Sequence, residues 1–381
     1  MSAFALLSAL AGFTGCATAE GSPVRLRSGR TNVVVILVDG LGSEQIGPAT
    51  PELRRLGQQG VRFQQLIANG TGPRPSAGAL LTGVHPRQLD LVGRRGALDP
   101  HHQTLAEALD AQGYLTLGLS TSGELHSYYG FAQGFDDYQD QPPDDLSGAE
   151  RLAERSLELV DRHQASSQRD PLFLQVHVGS PAPPWAAPRS EVQAWRERGV
   201  EQPRQAAELA VIDQGIGDLI QGLRERDLLE ETLLVVVGTH GPEPERLAET
   251  SLHVPLILDH PALPAGHKVP QLCDQVDLMP TLLHLLALEQ PADLAGESLA
   301  ALALGAKRDE SLSGLVVAET GSTPEDRVAL RTHRHKLVRD PVWGLELYRI
   351  DQGQELLVED EQVQRRLAER LRAWEVKNPK P

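Results

Sequence analysis

Asp39 is the first residue of this 381-residue chain whose type and position could carry chemistry. It follows an unbroken apolar and mostly β-branched run, Val33 to Val38, in the stretch TNVVVILVDGLG. A run this short and without alternation reads as a central strand buried on both faces, the kind found in parallel sheets. Asp39 then stands at the carboxyl tip of that strand, where open α/β sheets place their ligands. A carboxylate there is a good ligand for a hard divalent cation. It suits equally well the N-cap of a following helix, and the segment by itself leaves both roles open. Gly40, Gly42 and Gly47 free the backbone to turn closely around whatever occupies the tip.

The elements that must position Asp39 alternate along the chain. Pro51 to Gln59 reads as a helix, with proline at its first position and a stop at Gly60. Gln103 to Gln112 reads as a helix closed by Gly113, and Tyr114 to Leu119 as a strand. Ala149 to Ala165 has helical periodicity. Leu172 to Val178 is a second buried-strand pattern, ahead of a proline-rich loop, Pro181 to Pro188, whose Trp185 offers a stacking surface. Arg204 to Arg224 is a long helix, Thr232 to Val237 and Val254 to Leu258 are further strands, and Asp277 to Leu288 is an apolar helix. This alternation implies a mostly parallel sheet covered on both faces. After about residue 306 the character changes. Leu315 to Glu319, Val328 to Arg331, Lys336 to Arg339 and Glu346 to Ile350 are short strands, and Leu356 to Val376 is an amphipathic helix. That succession points to a small antiparallel subdomain packed on the main one.

Composition narrows the partners. Apolar residues make up 40% of the chain and aromatic residues only 4%, so the core must be aliphatic. The net charge of −16 argues against a nucleic-acid partner. No apolar run reaches the length of a membrane span. Ala3 to Phe13 has the length of a signal-peptide h-region, and Phe13-Thr14-Gly15-Cys16 behind it resembles a bacterial lipobox. The expected organisation is therefore a signal peptide over 1–16 with lipidation at Cys16, a linker over 17–30, an α/β domain over 31–305 and a C-terminal α+β subdomain over 306–381. The membrane is met only through the lipid, at the bacterial cell envelope. With two cysteines in all, no disulfide framework can form, and Cys273 reads as a small core residue.

Laid out in this order, the chain resembles the sulfatase family of the alkaline phosphatase superfamily. The resemblance runs from Thr31 to about Trp374. It is carried by NVVVILVDGLG, TPELRRLGQQGVRFQQLIAN, PSAGALLTGVHP, GFAQGFDDY, LFLQVHVGSPAPPW, TLLVVVGTHG, DQVDLMPTLLHLLAL and ELYRID. It implies an alkaline-phosphatase-like α/β fold: a mostly parallel sheet flanked by helices, with a small C-terminal antiparallel sheet and helix. In an active member, a nucleophile attacks sulfur or phosphorus while a carboxylate-held divalent cation polarises the ester oxygens.

Matched residue by residue, the site is depleted. Asp39 falls on the first metal carboxylate of the family, and the second is Gly40. The nucleophile position falls on Pro73, and the arginine after Ser76 is replaced by Ala77. The lysine and histidine expected beyond Leu119 have no counterpart, although Glu124 and His126 lie close by. His177 matches the first histidine of its motif and Ala182 stands for the second. Thr239 replaces the aspartate ahead of His240 and Gly241. Asp39 and His240 thus remain as the metal remnant, with His253, Asp213 or Glu243 as added donors. Ca²⁺ wants 6–8 oxygen ligands and Zn²⁺ about two donors more than this pair. No cofactor is expected beyond, at most, a weakly held Ca²⁺ or Zn²⁺. Thr71, Ser76 and His177 are the fallback catalytic candidates. The plainer role for Thr71 is a loop residue, and for Ser76 the N-cap of a helix over Ser76 to Leu81.

The resemblance therefore leads to two expectations. The first is a catalytically inactive envelope lipoprotein that binds a ligand or an envelope protein in or near the ancestral cleft. The alternative is a sulfuric- or phosphoric-ester hydrolase or transferase with a rebuilt, metal-assisted site.

Overall fold

A computed structural model describes residues 26, 31–89, 91, 96–140, 151–164, 171–179, 181, 186–242, 247–306, 314–320, 326–351 and 353–380. The first part of the chain supplies strands β1 (Asn32–Val38), β2 (Val61–Ile67), β3 (Leu115–Ser120), β4 (Asp137–Gln139), β5 (Leu172–Val178), β6 (Thr232–Gly238), β7 (His253–Asp259) and β8 (Lys268–Asp274). Between and after them come helices α1 (Pro51–Gln59), α2 (Pro73–Thr82), α3 (Leu105–Asp110), α4 (Leu152–Gln164), α5 (Arg189–Glu197), α6 (Pro203–Glu225), α7 (Glu249–Leu252), α8 (Leu278–Leu285) and α9 (Ala300–Ala303). The strands form one eight-stranded sheet in the order β4-β3-β5-β1-β6-β7-β2-β8. All neighbours are parallel except β7, which runs against both β6 and β2.

β1 is central and wholly buried, as its sequence requires. Alternate side chains feed two cores. Val33, Val35 and Leu37 join the cluster on the side of α2, α3 and α8, whereas Val34, Ile36 and Val38 join the one with α1, α4 and α6. Strands facing two apolar layers read as continuous hydrophobic runs, which is why β1, β5 and β6 were legible. β2, β4 and β8 were not anticipated. β2 alternates in burial, and β8 carries Pro270, which the sheet edge tolerates.

The C-terminal part forms a five-stranded antiparallel sheet of β9 (Leu315–Glu319), β10 (Val328–Thr332), β11 (His335–Asp340), β12 (Gly344–Asp351) and β13 (Gln354–Leu357), with α10 (Glu361–Lys377) packed on it. Leu356 and Leu357, expected to open the last helix, instead pair with Arg349 and Tyr348. The helix starts later because the Asp360 carboxylate accepts the Val363 N–H at 3.0 Å, an N-cap. Buried ion pairs join the two parts: Arg87 to Glu319 and Arg331 to Glu249, each at 2.7 Å. No described helix is long and apolar enough to cross a membrane.

Candidate functional site

Parallel pairing brings three strand tips together. Val38 lies opposite Val178 on one side and Gly238 on the other, so Asp39 is flanked by the ends of β5 and β6. The backbone is tied across the tips, with the Asp39 N–H on the Val178 carbonyl and the Thr239 N–H on the Val38 carbonyl, both at 3.0 Å. Gly40 then turns with φ of 65°, a left-handed conformation that glycine adopts without strain. Gly241 is needed for a different reason, since a Cβ there would lie 1.9 Å from the Thr250 carbonyl oxygen.

At the tips, Asp39, His177, Thr239 and His240 are all buried, none more than 2% exposed. Asp39 Oδ1 accepts the Thr239 hydroxyl at 2.6 Å, and Oδ2 lies 2.8 Å from His177 Nε2. His177 Nδ1 is 2.9 Å from Ser120 Oγ, whose own proton goes to the Ser122 carbonyl at 2.8 Å. Burial alone would push the Asp39 carboxyl up. The facing His177, its hydrogen bond, His240 and the Thr239 hydroxyl together outweigh burial and hold the carboxyl below its ordinary value. Ser120 and Thr239 thus complete the cluster. The sequence marked Thr239 only as a lost aspartate and did not single out Ser120, because neither role exists until three strands are aligned.

His240 sits beside this cluster but is differently engaged. Its Nδ1–H donates to the Gly241 carbonyl at 2.6 Å, and its buried Nε2 has no hydrogen-bond partner among the described residues. The other candidates divide. Helix α2 starts at Pro73, with Gly72 as N-cap, three residues earlier than expected, because proline fits the first helical position. Ser76 is therefore inside the helix, fully buried, and its hydroxyl donates to the Gly70 carbonyl at 3.0 Å. Thr71 lies in the turn between β2 and α2 and is 5% exposed. Pro73 and Pro75 lack N–H groups, so this helix start keeps few of the donors that would cradle an anion. Arg74, next to Pro73, is spent on Glu124 (3.3 Å), the Gly96 carbonyl (3.3 Å) and the Tyr129 ring (4.2 Å).

The family's divalent cation does not fit this donor set. Both Asp39 oxygens are already hydrogen-bonded inside the protein. Among the described residues, no group of three His, Cys, Asp or Glu side chains is placed to hold a metal ion. Asp213, an added donor by sequence, lies elsewhere: its oxygens accept the Glu52 and Leu53 N–H groups at 2.9 Å and cap helix α1. His253 Nε2 is on the Gln64 carbonyl at 2.7 Å. Glu243, Ala182, Trp185 and Cys16 lie outside the described residues. Cys273 is 1% exposed in the core, and its thiol donates to the Gln271 carbonyl at 3.4 Å. Two cavities, of about 440 and 560 Å³, lie beside Asp213 and beside Trp374, and neither is lined by Asp39, His177 or His240.

A mostly parallel sheet with an acidic tip on its central strand, a helix start nearby and a small antiparallel sheet behind define an alkaline-phosphatase-like hydrolase fold. The sulfatase family model matches residues 31–288, more than half of the chain, and the model for the C-terminal part of N-sulphoglucosamine sulphohydrolase matches residues 238–371. The chain belongs to the sulfatase family. It is 26% identical to human arylsulfatase A over 379 residues, covering 80% of this chain and 74% of that protein. With mouse arylsulfatase K the match is local, 31% over 109 residues, and spans 20% of that protein. Among solved structures, the phosphonate monoester hydrolase from Silicibacter pomeroyi superposes with a TM-score of 0.73 at 19% identity, over 92% of this chain and 96% of that one. BT4656, solved with its substrate D-glucosamine-2-N,6-O-disulfate, superposes with a TM-score of 0.78 at 16% identity, over 92% and 98%. These structural likenesses speak for the fold.

Proposed function

We propose that this sulfatase-family chain is catalytically inactive and acts by binding a ligand or an envelope protein in or near the cleft at the sheet edge, held at the bacterial envelope by lipid on Cys16. The reading is carried by the state of Asp39. The one metal carboxylate left from the family pattern has both oxygens taken by Thr239 and His177. Around it, Pro73 and Ala77 supply neither a nucleophile nor a charge-stabilising cation, and loss of a single such group commonly lowers turnover by about 10²–10³-fold. Lipidation, envelope location and partner class rest on the sequence alone.

The test begins with the full chain purified without chelator. Bound metal is measured, and aryl sulfates, aryl phosphates and phosphonate monoesters are screened for turnover. The inactive reading expects no stoichiometric metal and no turnover above buffer, with sulfated saccharides then tested as ligands. Turnover that disappears in Thr71→Ala or Asp39→Ala would overturn it. That outcome belongs to the alternative, an ester hydrolase with a rebuilt site, which one observation favours: among the described residues nothing hydrogen-bonds the buried Nε2 of His240.

A further inference from the structure

The turn between β11 and β12 holds two apolar side chains in the open, Val342 at 78% and Trp343 at 74% exposure. The turn is braced. Asp340, itself buried, accepts the Val342 N–H at 2.8 Å and the Trp343 N–H at 3.0 Å on Oδ1, and its Oδ2 pairs with Arg327 at 2.5 Å. Gly344 closes the turn at φ 83°. Backbone ordering, which normally opposes binding by a loop, is already complete here.

The shape of the tip selects its partner. Two side chains on a convex turn offer far less than the roughly 800 Å² per partner of a stable protein interface. A fluid apolar phase needs no complementary surface, and an amphipathic tryptophan ring prefers the interfacial belt of a bilayer. We propose that the Val342–Trp343 turn is a shallow insertion tip that docks the folded chain on a neutral lipid surface. The net charge of −16 sets the headgroup preference, because anionic lipids repel it.

The placement agrees with a tether at Cys16. Arg339 stands across from Val328, Val328 from Glu319, and Glu319 bridges to Gly70, so the tip projects toward the carboxyl edge of the large sheet. The chain enters β1 at the opposite end of that sheet. The seven residues of β1 span roughly 23 Å; Leu26 is held on the domain, its N–H on the Leu285 carbonyl at 3.0 Å, and the ten residues from Cys16 to Leu26 can reach about 35 Å. A lipid on Cys16 and the tip can therefore meet one membrane. The tip is a weak ligand alone and becomes effective through the high local concentration that a tether imposes. Its use in the cell rests on the lipoprotein reading; its affinity for lipid does not.

The experiment uses the full chain carrying Cys16→Ser, which cannot be lipidated, and sediments it with phosphatidylcholine vesicles. The N-terminal apolar segment is common to all variants and cancels in the comparison. Val342→Ser with Trp343→Ser should lower partition about tenfold, while Trp343→Phe retains it. Exposed changes of this kind barely alter stability, so folding is kept. Brominated phosphatidylcholine should quench tryptophan fluorescence of the Cys16→Ser chain and quench Trp343→Phe much less. Adding anionic lipid should weaken binding. Equal sedimentation of all variants, or the same quenching without Trp343, would overturn the proposal. So would a dimer in solution that the double serine change dissociates, which would make the tip a contact between copies. Mass spectrometry of the wild-type chain from bacterial membranes tests the lipid on Cys16 separately.

Discussion

Asp39 and Asp213 are equally buried, 1% and 2% exposed, and each accepts two hydrogen bonds, yet they respond to burial in opposite directions. At the contact between α1 and α6, burial pushes Asp213 up to about 6, and the Leu53 and Glu52 N–H groups only partly offset it. At the strand tips burial acts the same way on Asp39, but His177, His240 and Thr239 overcome it and the carboxyl is held low. Depth in the fold therefore does not decide whether a carboxylate stays charged; the neighbours do. Asp213 is a helix clamp that can accept a proton. Asp39 is a retained charge whose counter-groups are imidazoles and a hydroxyl of the protein itself.

The largest effect should come from breaking the strand-tip cluster. Asp39→Ala leaves His177 and Thr239 without an acceptor in a buried site. Removing one partner of a buried pair typically costs about 3–5 kcal/mol, read as a lower urea midpoint. A loss within about 0.5 kcal/mol would mean that the cluster is far less coupled than its distances indicate.

The next prediction sharpens the contrast through pH. Asp213 has a folded-state value near 6, above its ordinary 3.8, so between these pH values the native state holds more protons than the unfolded one. Its contribution to stability therefore falls as pH rises from about 4 to about 6. Melting curves of wild type and Asp213→Asn should show the gap moving in favour of the asparagine variant over that interval. Asp39 has the reverse sign: its contribution is present above its unfolded value and is lost as acid carries it through its lowered folded value. A parallel pH response of the Asp213→Asn and wild-type chains would remove the contrast. The smallest effect is expected for Thr71→Ala, a buried turn residue, at about 1 kcal/mol in stability, as a denaturant titration would show.

Much of the fold was legible because buried parallel strands announce themselves. β5 at Leu172–Val178 and α1 at Pro51–Gln59 fall where the residue pattern places them. Elements whose burial is one-sided or edge-bound, such as β2, β8 and β13, have no such signature, and Leu356 and Leu357 read as helix until an edge strand claims them. At the candidate site, Asp39, His177 and His240 were recognisable as residue types in matching motifs. Their partners were not, since Ser120 lies 57 residues from His177 and Thr239 lies 200 from Asp39.

By itself the sequence determined the α/β class, the sulfatase-family likeness, the strand bearing Asp39, and the absence of a reactive side chain at Pro73. Those properties are local, written in runs of apolar residues and in residue identity. Only the tertiary structure decided that both Asp39 oxygens are consumed and that Ser76 is sealed inside α2. It likewise decided that Asp213 serves α1 instead of a metal, and that Trp343 stands in solvent on a braced turn. Each of these depends on which distant backbone groups are brought within about 3 Å, and hydrogen-bond energy falls off too steeply with distance and angle for residue type alone to fix the partner.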